Sequence, residues 1–98
     1  MDTYEQRLEI KKRQAKVQAI INHTVEGEGY INATSKEWKN IVLKKFNHIQ
    51  RKEWTIEKLV DHIEAEGITF NQSKSLIVYP VRECLLYISK VAKKPLEL

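Results

Sequence analysis

The sequence predicts an α+β fold, one small domain in which about four helices pack with two short β-hairpins. Three observations carry this. Apolar residues recur at intervals of three and four around 38–46, 56–63 and 81–91, the period of an amphipathic helix. Between those stretches lie short runs of β-branched and aromatic residues, suited to strands. Glycine and proline, three and two in the whole chain, fall at the joints. A chain of 98 residues supports one core and leaves too little apolar surface for a second.

Residues 1–15 are rich in Glu, Gln, Arg, Leu, Lys and Ala, all good helix formers, with Asp2 or Thr3 available as the cap. This basic N-terminal helix or arm is assigned to residues 1–16, and the domain proper to 17–98. Val17, Ile20 and Ile21 suit either the apolar stripe of that helix or the start of a β-branched strand running to Val25. The strand is the favoured reading. Gly27 and Gly29 turn the chain, and Tyr30-Ile31-Asn32 supplies the partner strand of a first hairpin. Thr34 or Ser35 then caps a helix whose Trp38, Ile41, Val42 and Phe46 form one apolar side.

Thr55 caps the next helix. Its stripe is Ile56, Leu59, Val60 and Ile63, its outer face carries Glu57, Asp61, Glu64 and Glu66, and Gly67 ends it. Ile68-Thr69-Phe70 and Leu76-Ile77-Val78-Tyr79 read as two strands joined by a polar loop, a second hairpin. Pro80 opens a closing helix along Val81, Cys84, Leu85, Ile88 and Val91, and Pro95 follows its end.

Charge and cysteine content narrow the function classes. Lys plus Arg number 17 against 13 Asp plus Glu, a formal charge of +4, which favours a polyanionic partner. The single Cys84 forbids an intramolecular disulfide, and a small chain folding without one points to the reducing cytoplasm. No window reaches the roughly 18 consecutive apolar residues of a membrane span, and no apolar signal core opens the chain. His23, His48 and His62 lack paired metal-ligand spacing, and no phosphate loop, nucleophile elbow or metalloprotease motif occurs. The expectation is a protein without cofactor, metal site or catalysis.

Gly29-Tyr30-Ile31-Asn32-Ala33-Thr34, then Lys45-Phe46-Asn47 with Arg51 and Lys52, then Thr55-Ile56-Glu57-Lys58-Leu59, and last Val78-Tyr79-Pro80 before an apolar helix, make an ordered set of motifs. Together they resemble the KilA-N domain, a small DNA-binding domain of phages and large DNA viruses related to the fungal APSES domain. The resemblance covers roughly residues 17–94, and the basic N-terminal helix lies outside the family pattern. It implies a winged-helix-like module that binds duplex DNA, a phage or mobile-element character with a role in transcription regulation, and no catalysis.

From Ser35 to Trp54 the basic residues are Lys36, Lys39, Lys44, Lys45, Arg51 and Lys52, against Glu37 and Glu53 alone. Each cation that neutralises a phosphate releases counterion, so this stretch is the expected DNA contact. Asn40, Asn47, His48 and Gln50 add groups suited to base edges. Gln72, Ser73 and Lys74 at the tip of the second hairpin are the candidate wing, with Lys74 as its phosphate contact. Lys11, Lys12, Arg13 and Lys16 form a possible phosphate-contacting arm, and the acidic 55–66 helix is scaffold or a protein contact. Two rivals remain open: a protein-interaction module, such as a small phage-type inhibitor or regulatory subunit docking on a host protein through a helix face, and RNA binding through Tyr30, Phe70 and Tyr79. The N-terminal helix also makes a homodimer conceivable.

Overall fold

In chain order the elements are α1 (Tyr4–Asn22), a single 3₁₀ turn (Glu28–Tyr30), β1 (Ile31–Asn32), α2 (Ser35–Gln50), α3 (Ile56–Ala65), β2 (Thr69–Phe70) and α4 (Lys74–Ala92). The computed structural model describes residues 3–98. Trp38, Val42, Phe46 and Ile49 of α2, Leu59, Val60 and Ile63 of α3, and Ile77, Val81, Cys84, Leu85 and Ile88 of α4 form one buried cluster. α4 is the hub, packing against α1, α2 and α3. Each fully buried Leu, Ile or Val there is worth roughly 1.5–3 kcal/mol relative to exposure.

The fold is α+β, but its sheet is built differently from the expectation. β1 pairs antiparallel with β2, Ile31 opposite Phe70 and Asn32 opposite Thr69, so one two-stranded ribbon joins segments far apart in sequence. Neither expected hairpin forms. Residues 17–22 continue α1, because Ile20 and Ile21 reach the core from its last turn. The chain then turns through Gly27 at φ 85° and the 3₁₀ turn, not through a two-residue hairpin loop. The boundary placed between residues 16 and 17 thus falls inside one continuous helix.

The hairpin over 68–79 is likewise absent. Ser73 is the N-cap of α4 and Leu76-Ile77-Val78-Tyr79 are helical, so Gln72, Ser73 and Lys74 form no wing tip. Ile77, Val81, Cys84, Leu85 and Ile88 are one continuous stripe at helical spacing, and burying all of it outweighs the interruption at Pro80. That proline does not open α4 but lies inside it, buried, and the bond it forgoes belongs to the carbonyl of Leu76, an exposed residue one turn earlier.

The helix ends follow local chemistry more closely. Thr3 and Gln6 make a reciprocal capping box on α1, and the alternative cap, Asp2, lies outside the described residues. Thr34 and Thr55 cap α2 and α3, each accepting a backbone N–H at 3.2 Å. Gly67, at φ 94°, follows the end of α3, and Pro95 follows the left-handed Lys93 that ends α4.

Candidate nucleic-acid interface

α2 carries most of the expected site, and its phase sorts the residues. Trp38, Val42, Phe46 and Ile49 face the core. Lys39 stands three residues before Val42 and seven before Phe46, which puts it on the same side. It is 1% exposed. Its ammonium donates to the carbonyls of Ile21 (3.1 Å) and His23 and to the Glu28 carboxylate (3.3 Å), closing the C-terminal end of α1 onto α2. Lys39 therefore cannot reach a phosphate; its periodicity with Val42 and Phe46 was the signal for burial. Burial alone would push the Glu28 carboxyl up, but hydrogen bonds from Ser35 and the Val25 N–H, with the Lys39 charge, outweigh it and hold the carboxyl below its ordinary value.

Several other candidates are already engaged. The Lys45 ammonium sits 5.2 Å from the centre of the Trp54 ring and its side chain is half-buried. His48 bonds Glu53 at 2.6 Å through Nδ1 and stacks on Trp54. Gln50 donates to the Pro95 carbonyl at 3.4 Å, and Lys52 pairs with Glu97 at 3.1 Å. Lys74, expected on a wing, instead bridges Asp61 (3.0 Å) and Glu64 (2.9 Å) of α3. Those two carboxylates raise its pKa, chiefly through the hydrogen bond with Glu64 and then that with Asp61.

What remains is a row at spacings of four, four, three and four along α2 and its C-cap residue: Lys36, Asn40, Lys44, Asn47 and Arg51. Such spacing keeps side chains on one helix face. The three cations and Asn47 are exposed and Asn40 is half-buried. None of the five side chains has a hydrogen-bond or ion-pair partner among the described residues. From Lys36 to Arg51 the row runs about 22 Å along the helix axis. Glu37, beside its first turn, is the acid of this stretch that stays free, since Glu53 is held by His48. At the N-terminal end, Lys36 and Asn40 share a shallow depression of about 470 Å³ with Arg13, Val17, Gln18 and Ile21 of α1.

No family model, curated protein or solved structure matches the chain, and none identifies a KilA-N domain. The row must be read from its own chemistry. Fixed cations alternating with neutral amides present phosphate ligands and base-edge ligands on one rigid rod. Asn32 of β1 donates to the Thr69 hydroxyl at 3.1 Å and accepts from Asn71 at 3.3 Å, pinning β1 to β2. Among the described residues no cluster of three or more His, Cys, Asp or Glu is placed to hold a metal ion. No described helix is long and apolar enough to cross a membrane.

Proposed function

We propose that the protein binds duplex DNA by laying the Lys36–Asn40–Lys44–Asn47–Arg51 face of α2 into the major groove. The single observation that carries this reading is that these side chains are uncommitted and share one helix face, whereas Lys39, Lys45, His48, Gln50, Lys52 and Lys74 are engaged within the fold. A helix fits the major groove, about 12 Å wide, and Asn pairs bidentately with adenine there. Lys36, Lys44 and Arg51 take phosphates. The DNA contact needs no wing, so the winged-helix likeness reduces to a recognition helix on a compact helical support. A small cytoplasmic regulator of phage or mobile-element type, acting without catalysis, is the role that accords with the KilA-N resemblance of the 29–34 and 45–59 motifs.

The test is a fluorescence titration of an arbitrary duplex at several salt concentrations. Lys44→Glu with Arg51→Glu should weaken binding strongly and lower the salt slope by about two units, one per phosphate contact removed. Asn40→Ala and Asn47→Ala should leave the slope intact and reduce discrimination between duplexes, each good base contact being worth about 1–3 kcal/mol. Wild-type affinity and slope in the double reversal would remove α2 from the interface.

A protein-interaction role has one specific observation in its favour. Tyr4, Leu8, Ile10 and Val17 of α1 are all exposed large apolar residues, an unusual concentration on one helix of a small protein.

A further inference from the structure

Apart from Leu98, the exposed large apolar residues lie in two regions of opposite charge. The first is the α1 arm just described, in which Arg7, Lys11, Lys12, Arg13 and Lys16 outnumber Glu5 and Glu9. The second is a cleft of about 490 Å³ beyond the other end of α1, built from the 23–27 turn, the 3₁₀ turn and the first half of α4. Tyr30, Leu76 and Tyr79 line it, Tyr79 at 61% exposure, together with Glu26 and Glu83. No lysine or arginine lines it, and among the described residues neither glutamate pairs with a cation. In a chain of net charge +4 this is an acidic, aromatic recess without a partner.

We infer that the cleft receives the α1 arm of a second copy of this chain, and that two copies exchange arms about a two-fold axis. The arm matches the cleft in chemistry. At 100° per residue Tyr4, Leu8, Ala15 and Ala19 fall within an arc of about 60°, Lys11 and Lys12 lie at its two edges, and Ile10 and Val17 lie on the opposite side of the helix. Apolar side chains thus meet Tyr30, Leu76 and Tyr79 while flanking ammonium groups meet Glu26 and Glu83. An arm cannot fill its own cleft. α1 is continuous from Tyr4 to Asn22, so Leu8 stands about 21 Å from the helix end that leads into the cleft, and a straight helix does not fold back. A second copy turned by 180° runs its α1 antiparallel to the first, which brings each arm to the other's cleft and closes the assembly with the Tyr4 and Leu8 face and the cleft covered. Residues 3–19 of α1 are exposed throughout, and an isolated helix of that length is marginal in water, so the exchange also supplies the packing that a projecting arm lacks.

The full chain is examined without DNA, which keeps the outcome independent of the α2 reading. Sedimentation equilibrium at a concentration on the order of 100 µM, well above a low-micromolar Kd, should give twice the 11.6 kDa of one chain, with weaker association at high salt. Glu26→Lys with Glu83→Lys in one variant, and Lys11→Glu with Lys12→Glu in another, should each be monomeric and still unfold in a single cooperative transition. Mixed in equal amounts the two variants should pair, because both exchanged contacts are then again between opposite charges. A monomeric wild type overturns the inference, as does a dimer that survives the cleft reversal or a mixture that fails to associate.

Discussion

Lys39 is the residue on which three segments converge, and it separates two kinds of basic residue in α2. Its ammonium is removed from water and satisfied by two carbonyls and a carboxylate, so replacing it takes the side-chain donor from the Ile21 and His23 carbonyls and the cation from Glu28. Lys39→Met should lose about 3–5 kcal/mol in urea unfolding, the usual result of breaking a buried pair from one side. Were Lys39 a phosphate contact, the same change would instead spare stability and weaken DNA binding. Glu28 makes the network sensitive to acid. Its folded-state pKa lies below the ordinary 4.5, so its stabilisation is complete above that value and drains away as the pH falls through the lower one. Unfolding midpoints measured below pH 4.5 should therefore drop more steeply for the wild type than for Glu28→Gln. Cys84, 2% exposed, has its thiol pushed up to about 12 chiefly by burial. It should resist a thiol reagent under native conditions and react at once in denaturant.

The entry into α2 shows at the scale of an element how two adjacent hydroxyls do different work. Thr34 accepts the Glu37 N–H and caps the helix, whereas Ser35 donates to Glu28. Thr34→Ala should lower stability by about 1 kcal/mol at every pH, as cap loss does. Ser35→Ala should matter only where Glu28 is ionised, so thermal melts at neutral and acid pH tell the two apart. The turn before it depends on Gly27. At φ 85°, a Cβ there would lie 3.2 Å from the Tyr30 ring and 3.3 Å from the Pro80 ring, whereas a Cβ on Gly29 meets nothing. Gly27→Ala should lose more than about 1 kcal/mol, and Gly29→Ala should be neutral or gain up to about 1 kcal/mol from a stiffer unfolded chain. Equal melting shifts for the two would mean that the turn is not held as described.

For the whole molecule, shape and charge pull apart from composition. The radius of gyration is 14.3 Å, against about 12.6 Å for an average domain of this length, and the 48 Å long dimension agrees with a projecting α1. The formal charge of +4 is likewise not spread evenly: Lys39 is buried, Lys52 and Lys74 are paired, and the unpaired cations lie on α1, on the exposed face of α2 and along α4 and its C-terminal end at Arg82, Lys90, Lys93 and Lys94. A control with the same net charge exploits this. Lys90→Glu with Lys93→Glu, at the exposed end of α4, changes the total by as much as Lys44→Glu with Arg51→Glu. The α4 pair should leave the salt slope of duplex binding within a few tenths of a unit, since slope counts phosphates in contact and not net charge. Equal losses from the two pairs would show that attraction to DNA is a property of overall charge.

The α+β class, the helical cores of α2 and α3, the Thr34 and Thr55 caps, the Gly67 stop and the burial of Cys84 were all legible in the sequence, because each depends on neighbours within a turn or two. Hydrophobic period and capping chemistry are local. The strand pairing was not legible: β1 and β2 are two residues each, too short for any pattern, and Ile31 lies beside Phe70 across two intervening helices, α2 and α3. The short apolar runs at 17–21 and 76–79 suit strand and helix alike, and what decided for helix was the core surface offered by the rest of the fold to Ile20, Ile21 and Ile77. The basic stretch from Ser35 to Lys52 was visible as composition, yet a count of lysines does not say which are free. Partners distant in sequence settled that: Glu28 for Lys39, Glu97 for Lys52, Asp61 and Glu64 for Lys74. Residue type and spacing determined what each side chain is able to do, and the packed fold, by bringing remote acceptors within 3 to 4 Å, decided which cations stayed available to a partner.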